Sequence, residues 1–171
     1  DRKKVREQLV KARSNSSERE LLQLLKENSF LFSELFSRHF GIQPVFSEVS
    51  FGNNFRCAFC WLNDNSDGHE WVLVEIEKPS SKYFKNNSTT FHADFSLALQ
   101  QMNTRRAWFN DESNRNHFKN NILQGFIEPA HMGRNPFNFK YVLVHGRRSE
   151  YENNTQKTAL IRGQQRSDFS I

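Results

Sequence analysis

Cysteine is scarce in this chain: of its 171 residues only 2 are Cys. Cys57 and Cys60 are spaced as Cys-x-x-Cys, but a second pair that would complete a zinc site is missing. Both fall in the strand-like run from Phe55 to Leu62, where alternation predicts that they point to opposite faces of the sheet. We therefore expect two buried, reduced thiols rather than a redox or metal pair.

Long apolar runs and export signals are also missing. No apolar stretch reaches about 18 residues, so we expect no membrane-spanning helix. Without a signal peptide, the chain is expected to be cytoplasmic. It begins with Asp1 rather than Met, which indicates a piece of a longer protein. A Gly-rich phosphate loop, a Gly-x-Ser-x-Gly elbow and a His-Glu-x-x-His motif are all absent, and these absences argue against the enzyme classes that use them.

What the sequence does contain is aromatic and basic. It has 17 Phe, a net charge of +5 and a pI near 9.4. The Phe residues concentrate in periodic stretches, which predicts a folded domain with a real core. The positive charge suits a polyanionic partner such as nucleic acid, although charge alone is weak evidence for one.

Helical and strand-like segments follow one another in a mixed order. Residues 1–16 are predicted to be an arm or linker from an upstream region, and residues 17–171 one domain that is truncated at its end. Ser17 and Glu20 fit a capping box for a helix that runs towards Phe40, with a break near Ser29. Ser80 to Thr90 is a polar loop, and an amphipathic helix follows from Phe91 to Phe109, capped by His92. The remaining predicted segments are strands at Val45–Phe51, Phe55–Asn63, Trp71–Lys78 and Tyr141–Val144, a turn at Asp64–Gly68, helices at Ser113–Gln124 and Ser149–Gly163, a loop at Glu128–Phe137, and a strand beginning at Phe169.

This order predicts an α/β fold, a small mixed sheet flanked by helices. The first three strands are expected to form an antiparallel meander. On the third strand, alternation puts Trp71, Leu73, Glu75 and Glu77 on one face and Val72, Val74, Ile76 and Lys78 on the other.

The paired carboxylates Glu75 and Glu77 need an explanation on a strand that is otherwise apolar. Like charges this close repel unless a cation, a proton or solvent intervenes. A divalent metal would compensate them, because carboxylates and carbonyls are the ligands that Mg²⁺ prefers. A solvated acidic strand end paired with Lys78 or an arginine explains the same pattern, and the spacing alone does not separate the two.

Six segments in this order resemble the Shedu family of anti-phage defence proteins, whose shared domain belongs to the PD-(D/E)xK nuclease superfamily. The resemblance covers about Leu21 to Arg148. Its segments are Leu25–Phe32, Ser47–Gly52, Phe55–Phe59, Val74–Pro79, His92–Trp108 and Tyr141–Arg148. It implies a restriction-endonuclease-like core, a Mg²⁺- or Mn²⁺-dependent nickase-like endonuclease acting on double-stranded DNA, and a homo-oligomer, either dimer or tetramer, with no membrane.

The resemblance also implies roles for individual residues. Glu75 and the carbonyl of Ile76 correspond to metal ligands, and Gln101 to a functional glutamine on the long helix. Two departures stand out: Ala58 replaces the expected metal-binding Asp, and Glu77 replaces the expected Lys, with Lys78 displaced by one. Ala58 removes a central ligand, either as an engineered substitution or in a naturally inactive copy.

The remaining candidates are basic. Lys82 and Lys85 in the polar loop, with Arg105 and Arg106 on the long helix, are predicted to neutralise DNA phosphates. The predicted function is therefore a defence endonuclease domain with Ala58, Glu75, Glu77 and Gln101 at its catalytic site, inactive because of Ala58. The alternative is a non-catalytic module that binds DNA or protein on a nuclease fold.

Overall fold

A computed structural model of the chain describes residues 2–15, 17–32, 45–52, 54–65, 68–122 and 137–171. Its α-helices are α1 (Arg2–Asn15), α2 (Glu18–Glu27), α3 (Ala93–Asn110), α4 (Glu112–His117) and α5 (Thr155–Arg162). A π-helical turn (Phe118–Ile122) follows α4, and a 3₁₀ turn (Arg148–Glu150) precedes α5. The strands are β1 (Phe46–Phe51), β2 (Phe55–Asn65), β3 (Gly68–Ile76), β4 (Phe137–Val144) and β5 (Phe169–Ser170).

The five strands form one mixed sheet in the order β1-β2-β3-β4-β5. The antiparallel meander of the first three strands is confirmed. β4 and β5 join parallel to their neighbours, since the crossovers that lead to them contain helices. The predicted α/β class, a mixed sheet flanked by helices, is confirmed.

The predicted ends of β2 and β3 were wrong. The supposed turn from Asp64 to Gly68 is shorter, because Asn65 still pairs with Gly68. β3 ends at Ile76 rather than Lys78, although Glu77 N donates to Val144 O at 2.8 Å and keeps the chain on the sheet one residue further. The polar composition of residues 64–68 led to the prediction of a longer turn. Backbone hydrogen bonds between strands form equally well at polar and at apolar residues, so polar residues can extend a strand.

Each face of β3 packs against different helices, as alternation predicts. Trp71 and Leu73 lie in a cluster with the buried face of α3, whereas Val72, Val74 and Ile76 lie in a cluster with α2 and Phe32. The predicted amphipathic helix is confirmed as α3, whose buried residues are Phe95, Ala98, Met102 and Phe109. Burial of each large apolar side chain contributes about 1.5–3 kcal/mol, so these two layers fix the strand register.

Helix boundaries follow the predicted capping chemistry. Ser17 caps α2 by accepting from Glu20 N at 3.3 Å, and His92 caps α3 by accepting from Asp94 N at its Nδ1. The predicted break is also confirmed, since Asn28 and Ser29 form a turn after α2. The predicted continuation towards Phe40 lies outside the described residues, as does most of the loop predicted from Glu128 to Phe137.

The arm predicted for residues 1–16 is helical where it is described. α1 has an exposed, charged surface, but Val5 and Ala12 are buried. No helix in the described part of the chain is long and apolar enough to cross a bilayer.

The prediction that Cys57 and Cys60 point to opposite faces was wrong. Both thiols are free and buried, and both lie in the cluster under α3. Strict alternation fails between them, where Ala58 stands opposite Glu48 and Glu48 has a left-handed φ of 54°. The neighbouring Cys57 thiol and burial raise the pKa of Cys60, which keeps it a neutral thiol, as expected for structural cysteines.

Candidate functional site

The strands β2 and β3 separate beside Ala58 and Glu75. Their antiparallel pairing runs from Asn65 and Gly68 to Phe59 and Val74. Beyond that point β2 is paired with β1, whereas Glu75 pairs with Leu143 of β4. We call this divergence the fork. Ala58 and Glu75 are the first residues past the last shared pair, so the two positions flank the fork from opposite strands.

Glu75 is held at the fork by an arginine of α3. Nη1 of Arg105 lies 2.7 Å from Oε2 of Glu75, and the two side chains are 13% and 18% exposed. Arg105 also donates from Nη2 to the carbonyl oxygen of Arg56 on β2 at 3.2 Å. One guanidinium group therefore joins α3 to both arms of the fork.

This ion pair leaves polar atoms without hydrogen bonds. Oε2 of Glu75 and Nε of Arg105 are buried, and neither has an aligned hydrogen-bond partner among the described residues. Most buried polar atoms in proteins do have such a partner. The guanidinium group of Arg105 thus contacts Glu75 closely through Nη1, while its Nε has no partner among the described residues.

Burial raises the pKa of Glu75 to about 7, despite the opposing charge of Arg105. The carboxylates of Glu77 and Glu18 raise it further. The pKa of Glu77 is also raised, first by burial and then by Glu18 at the start of α2. Glu75 therefore exchanges its proton near neutral pH, a property that suits acid–base chemistry.

Gln101 lies one helical turn before Arg105, on the exposed surface of α3. Both side chains line an open groove of about 330 Å³, whose opposite wall includes Asn54 and Phe55 at the start of β2. Arg105 therefore contacts Glu75 and shares this groove with Gln101, whereas Glu75 itself is not among the residues that line the groove. Ala58 is half-buried and packs at the margin of the cluster under α2, so its methyl group makes no polar contribution to the fork.

The comparison with protein families decides the relationship of this chain. The family described as "Shedu protein SduA, C-terminal" matches residues 15–171. The chain belongs to the Shedu family. The match places it among the C-terminal domains of an anti-phage defence family and confirms the resemblance that the sequence motifs indicated. Among curated proteins, no match was found.

The part of the Shedu domain that the structure describes does not present a complete divalent-metal site. Within the described residues, no group of three or more His, Cys, Asp or Glu side chains is close enough to hold a metal ion. Of the positions expected to bind metal, Ala58 offers no side-chain oxygen, and Arg105 lies against the carboxylate of Glu75. A cation at this point would have to displace a guanidinium group first.

The Shedu domain turns both predicted phosphate-binding arginines inward. Arg105 pairs with Glu75, and Arg106 donates from Nε to Oδ2 of Asp168 at 2.9 Å. The guanidinium group of Arg106 also lies 5.9 Å from the centre of the Tyr141 ring. To contact DNA phosphates, either arginine would have to exchange an internal carboxylate for an external phosphate.

Lys82 and Lys85 of the Shedu domain line a different region, a cleft beyond the end of β3. Lys78 is exposed after the strand end, and His92 serves the helix cap, with its Nδ1 3.3 Å from a carboxylate oxygen of Asp94. Sequence reasoning did not assign three charged residues that lie at these two regions. They are Glu18 near the fork, and Arg147 and Lys157 in the cleft. No sequence pattern brings Glu18 to the fork, but the adjacent basic residues after β4 were a usable signal for Arg147.

Proposed function

We propose that this Shedu domain is a metal-dependent DNA endonuclease of nickase type whose activity is abolished in this sequence by Ala58. The observation that carries the proposal is Glu75, a largely buried carboxyl group whose pKa is raised to about 7 and which, like Ala58 on the other strand, lies one residue past the last pair of β2 and β3. A buried acid with a near-neutral pKa is unusual for a purely structural strand and common at catalytic sites.

Each residue at the fork has a separate role in the proposed reaction. Ala58→Asp would add a second carboxylate on the other strand of the fork from Glu75 and the Ile76 carbonyl, and these are oxygen ligands of the kind that Mg²⁺ or Mn²⁺ takes. These residues would hold a divalent ion, and the chemistry it would supply there is activation of water and stabilisation of charge on the phosphate. Glu77 and Gln101 are assigned to holding that water in place. The present sequence lacks the set, so we expect it to bind DNA without cutting it.

Plasmid nicking tests this assignment. Supercoiled plasmid is incubated with the chain, with Ala58→Asp and with Ala58→Asn, in Mg²⁺ and separately in Mn²⁺. Only Ala58→Asp should produce open circles, and adding Glu75→Gln to it should abolish them. Ala58→Asn is the matched control, since it has nearly the same shape without the charge. If Ala58→Asp leaves the plasmid supercoiled with both metals and at several protein concentrations, the endonuclease proposal fails.

A non-catalytic module is the second candidate, and the Arg105–Glu75 pair favours it. A guanidinium group at 2.7 Å neutralises the carboxylate that a metal would need. In this version the domain binds DNA or protein and the fork is structural. Fluorescence anisotropy with a labelled duplex, at two salt concentrations, tests the binding itself. Binding that weakens with salt supports either version, and its absence contradicts DNA as the partner in both.

The assembly implied by the family resemblance belongs to the same proposal. We expect a homo-oligomer, a dimer or a tetramer. Light scattering coupled to size-exclusion chromatography measures the mass directly, and a mass of one chain at all concentrations contradicts it.

A further inference from the structure

A second polar region lies at the end of the sheet where β3 and β4 finish. The loop after β3 and the loop after β4 enclose a surface cleft of about 580 Å³. Parallel neighbouring strands end on the same side, so the loops that follow them meet. Ligands of open α/β sheets bind at this edge, outside the carboxyl ends of the strands.

The two loops are joined firmly. Tyr83 donates its hydroxyl to the carbonyl oxygen of His145 at 2.6 Å, and the His145 ring is 3.2 Å from the carbonyl oxygen of Lys82. Gly146 has a left-handed φ of 48°, and a Cβ there would come within 2.4 Å of the Ser81 carbonyl oxygen. This close approach, which requires glycine, fixes the cleft before any ligand arrives.

Glu150 completes the joint from the far loop. Its carboxylate accepts from Tyr83 N at 3.0 Å and from Phe84 N at 2.9 Å. Among the lining residues that the structure describes, Glu150 is the only one with a carboxylate, and that carboxylate is already bound to backbone amides of the opposite loop. The negative charge of Glu150 therefore stabilises the contact between the two loops and is not directed into the open part of the cleft.

Apart from Glu150, every charged side chain among the described lining residues is positive. Four of them come from three segments: Lys82, Lys85, Arg147 and Lys157. Two have defined positions, because Lys82 Nζ donates to Asn86 at 3.0 Å and Lys157 Nζ lies 4.9 Å from the centre of the Phe84 ring. Hydroxyl groups of Ser80, Ser81 and Ser149 add neutral donors. Cations with hydroxyl donors in a preformed cleft are the chemistry that phosphate groups require.

We propose that this cleft is a phosphate-binding site, separate from the fork, which takes a phosphate group of a nucleic acid backbone or of a nucleotide. The first source rests on the proposed function, whereas phosphate binding itself does not require any nuclease activity. On DNA, the site positions the duplex beyond the end of β3, so that a strand reaching the fork is held at two points.

Nitrogen–proton NMR correlation spectra of the labelled chain test the site. The probe is inorganic phosphate, compared with sodium chloride at the same ionic strength. Amide shifts that saturate and concentrate at Ser80, Ser81, Lys82 and Ser149 are the expected result. Lys85→Glu should abolish that saturation, whereas Lys4→Glu, the same charge change on exposed α1, should retain it. Shifts scattered over all lysine-bearing surfaces, or shifts reproduced by chloride, overturn the proposal.

Two further titrations distinguish the source of the phosphate. Adenosine monophosphate and a short duplex are each added to the unmodified chain and to the two variants. If the backbone is the ligand, Lys85→Glu weakens duplex binding about threefold to tenfold and lowers its salt dependence by about one ion. If a free nucleotide is the ligand, only the monophosphate titration changes. Equal effects of Lys85→Glu and Lys4→Glu in every titration contradict a phosphate site here.

These outcomes are independent of cleavage. Failure of Ala58→Asp to nick plasmid removes the endonuclease proposal and leaves phosphate binding intact. Conversely, a nicking Ala58→Asp variant whose activity is unaffected by Lys85→Glu, together with absent phosphate shifts, removes the cleft proposal alone. Thermal unfolding of each variant is recorded, because Lys85 is exposed and its replacement should leave the melting temperature unchanged within about 2 °C.

Discussion

Two neighbouring arginines of α3, Arg105 and Arg106, each pair with a carboxylate, and the two pairs are built differently. Arg106 directs both Nε and Nη2 to one oxygen of Asp168, which is 35% exposed. Arg105 brings a single nitrogen to within 2.7 Å of Glu75, which is 18% exposed, and leaves its Nε without a hydrogen bond among the described residues.

The difference separates a structural contact from a candidate functional one. The Arg106–Asp168 pair joins α3 to the start of β5, where Tyr141 N also donates to Asp168 O at 2.8 Å. Its hydrogen bonds are made and solvent screens it, so it needs no further partner. The Arg105–Glu75 pair is buried and incompletely bonded, and its carboxyl titrates near neutrality. The free energy of unfolding should therefore depend more strongly on the charges of the Arg105–Glu75 pair than on those of the Arg106–Asp168 pair.

The largest expected effect comes from breaking the buried pair. Arg105→Met keeps much of the side-chain volume but leaves Glu75 buried without its cation. We expect the free energy of unfolding to fall by about 3–4 kcal/mol at about pH 8. At about pH 4 the loss should be much smaller, because Glu75 is then protonated. Urea denaturation at both pH values measures it, and an equal loss at the two would contradict a buried charge at Glu75.

The next effect is the pH dependence that Glu75 imposes. Its pKa in the folded chain is about 7, above the ordinary value of 4.5. The stability it contributes is therefore fully present below about pH 4.5 and is lost as the pH rises through about 7. Relative to Glu75→Gln, which mimics the neutral acid, the unmodified chain should lose about 2–3 kcal/mol between about pH 4 and pH 8. A constant difference between the two proteins over this range would exclude the raised pKa.

Much of the fold was predictable because it depends on local rules. Alternation assigned Trp71 and Val72 to opposite faces of β3, and both are buried in the expected layers. Capping chemistry located the start of α2 at Ser17. The rules failed where the backbone departs from them: the left-handed Glu48 interrupts the alternation of β1 and β2, and with it the predicted faces of Cys57 and Cys60.

The site was less predictable, because it depends on pairs that only tertiary packing creates. The motif located Glu75 correctly on β3, and pairing with an arginine was one of the two explanations of its acidic end, but no sequence pattern identified Arg105 as that partner. From the sequence alone, Arg105 and Arg106 are equally good candidates for binding a phosphate, because both are positive charges on the same helix. Their separate internal partners follow from the packing of α3 across β3 and beside β5.

A smaller effect is expected from the structural pair. Arg106→Met should lower the free energy of unfolding by about 1 kcal/mol, since the pair is partly solvated. The loss should shrink as salt is added, because screening already weakens the pair in the unmodified chain. Urea denaturation at two salt concentrations checks this. A loss as large as that of Arg105→Met would show that the two pairs do not differ in the way proposed.

The smallest effect on stability, and the sharpest one on function, concerns Gln101. It is exposed on α3 one turn before Arg105, so Gln101→Ala should change the free energy of unfolding by less than about 0.5 kcal/mol. In the Ala58→Asp background the same change should lower the nicking rate about tenfold or more, because a water-positioning group would be lost. Gln100→Ala, an equally exposed neighbour on the same groove, is the matched control and should leave the rate unchanged. Equal nicking rates for the two variants would contradict a role of Gln101 in positioning water. Of the α3 residues considered, only Arg105 would then be linked to the fork.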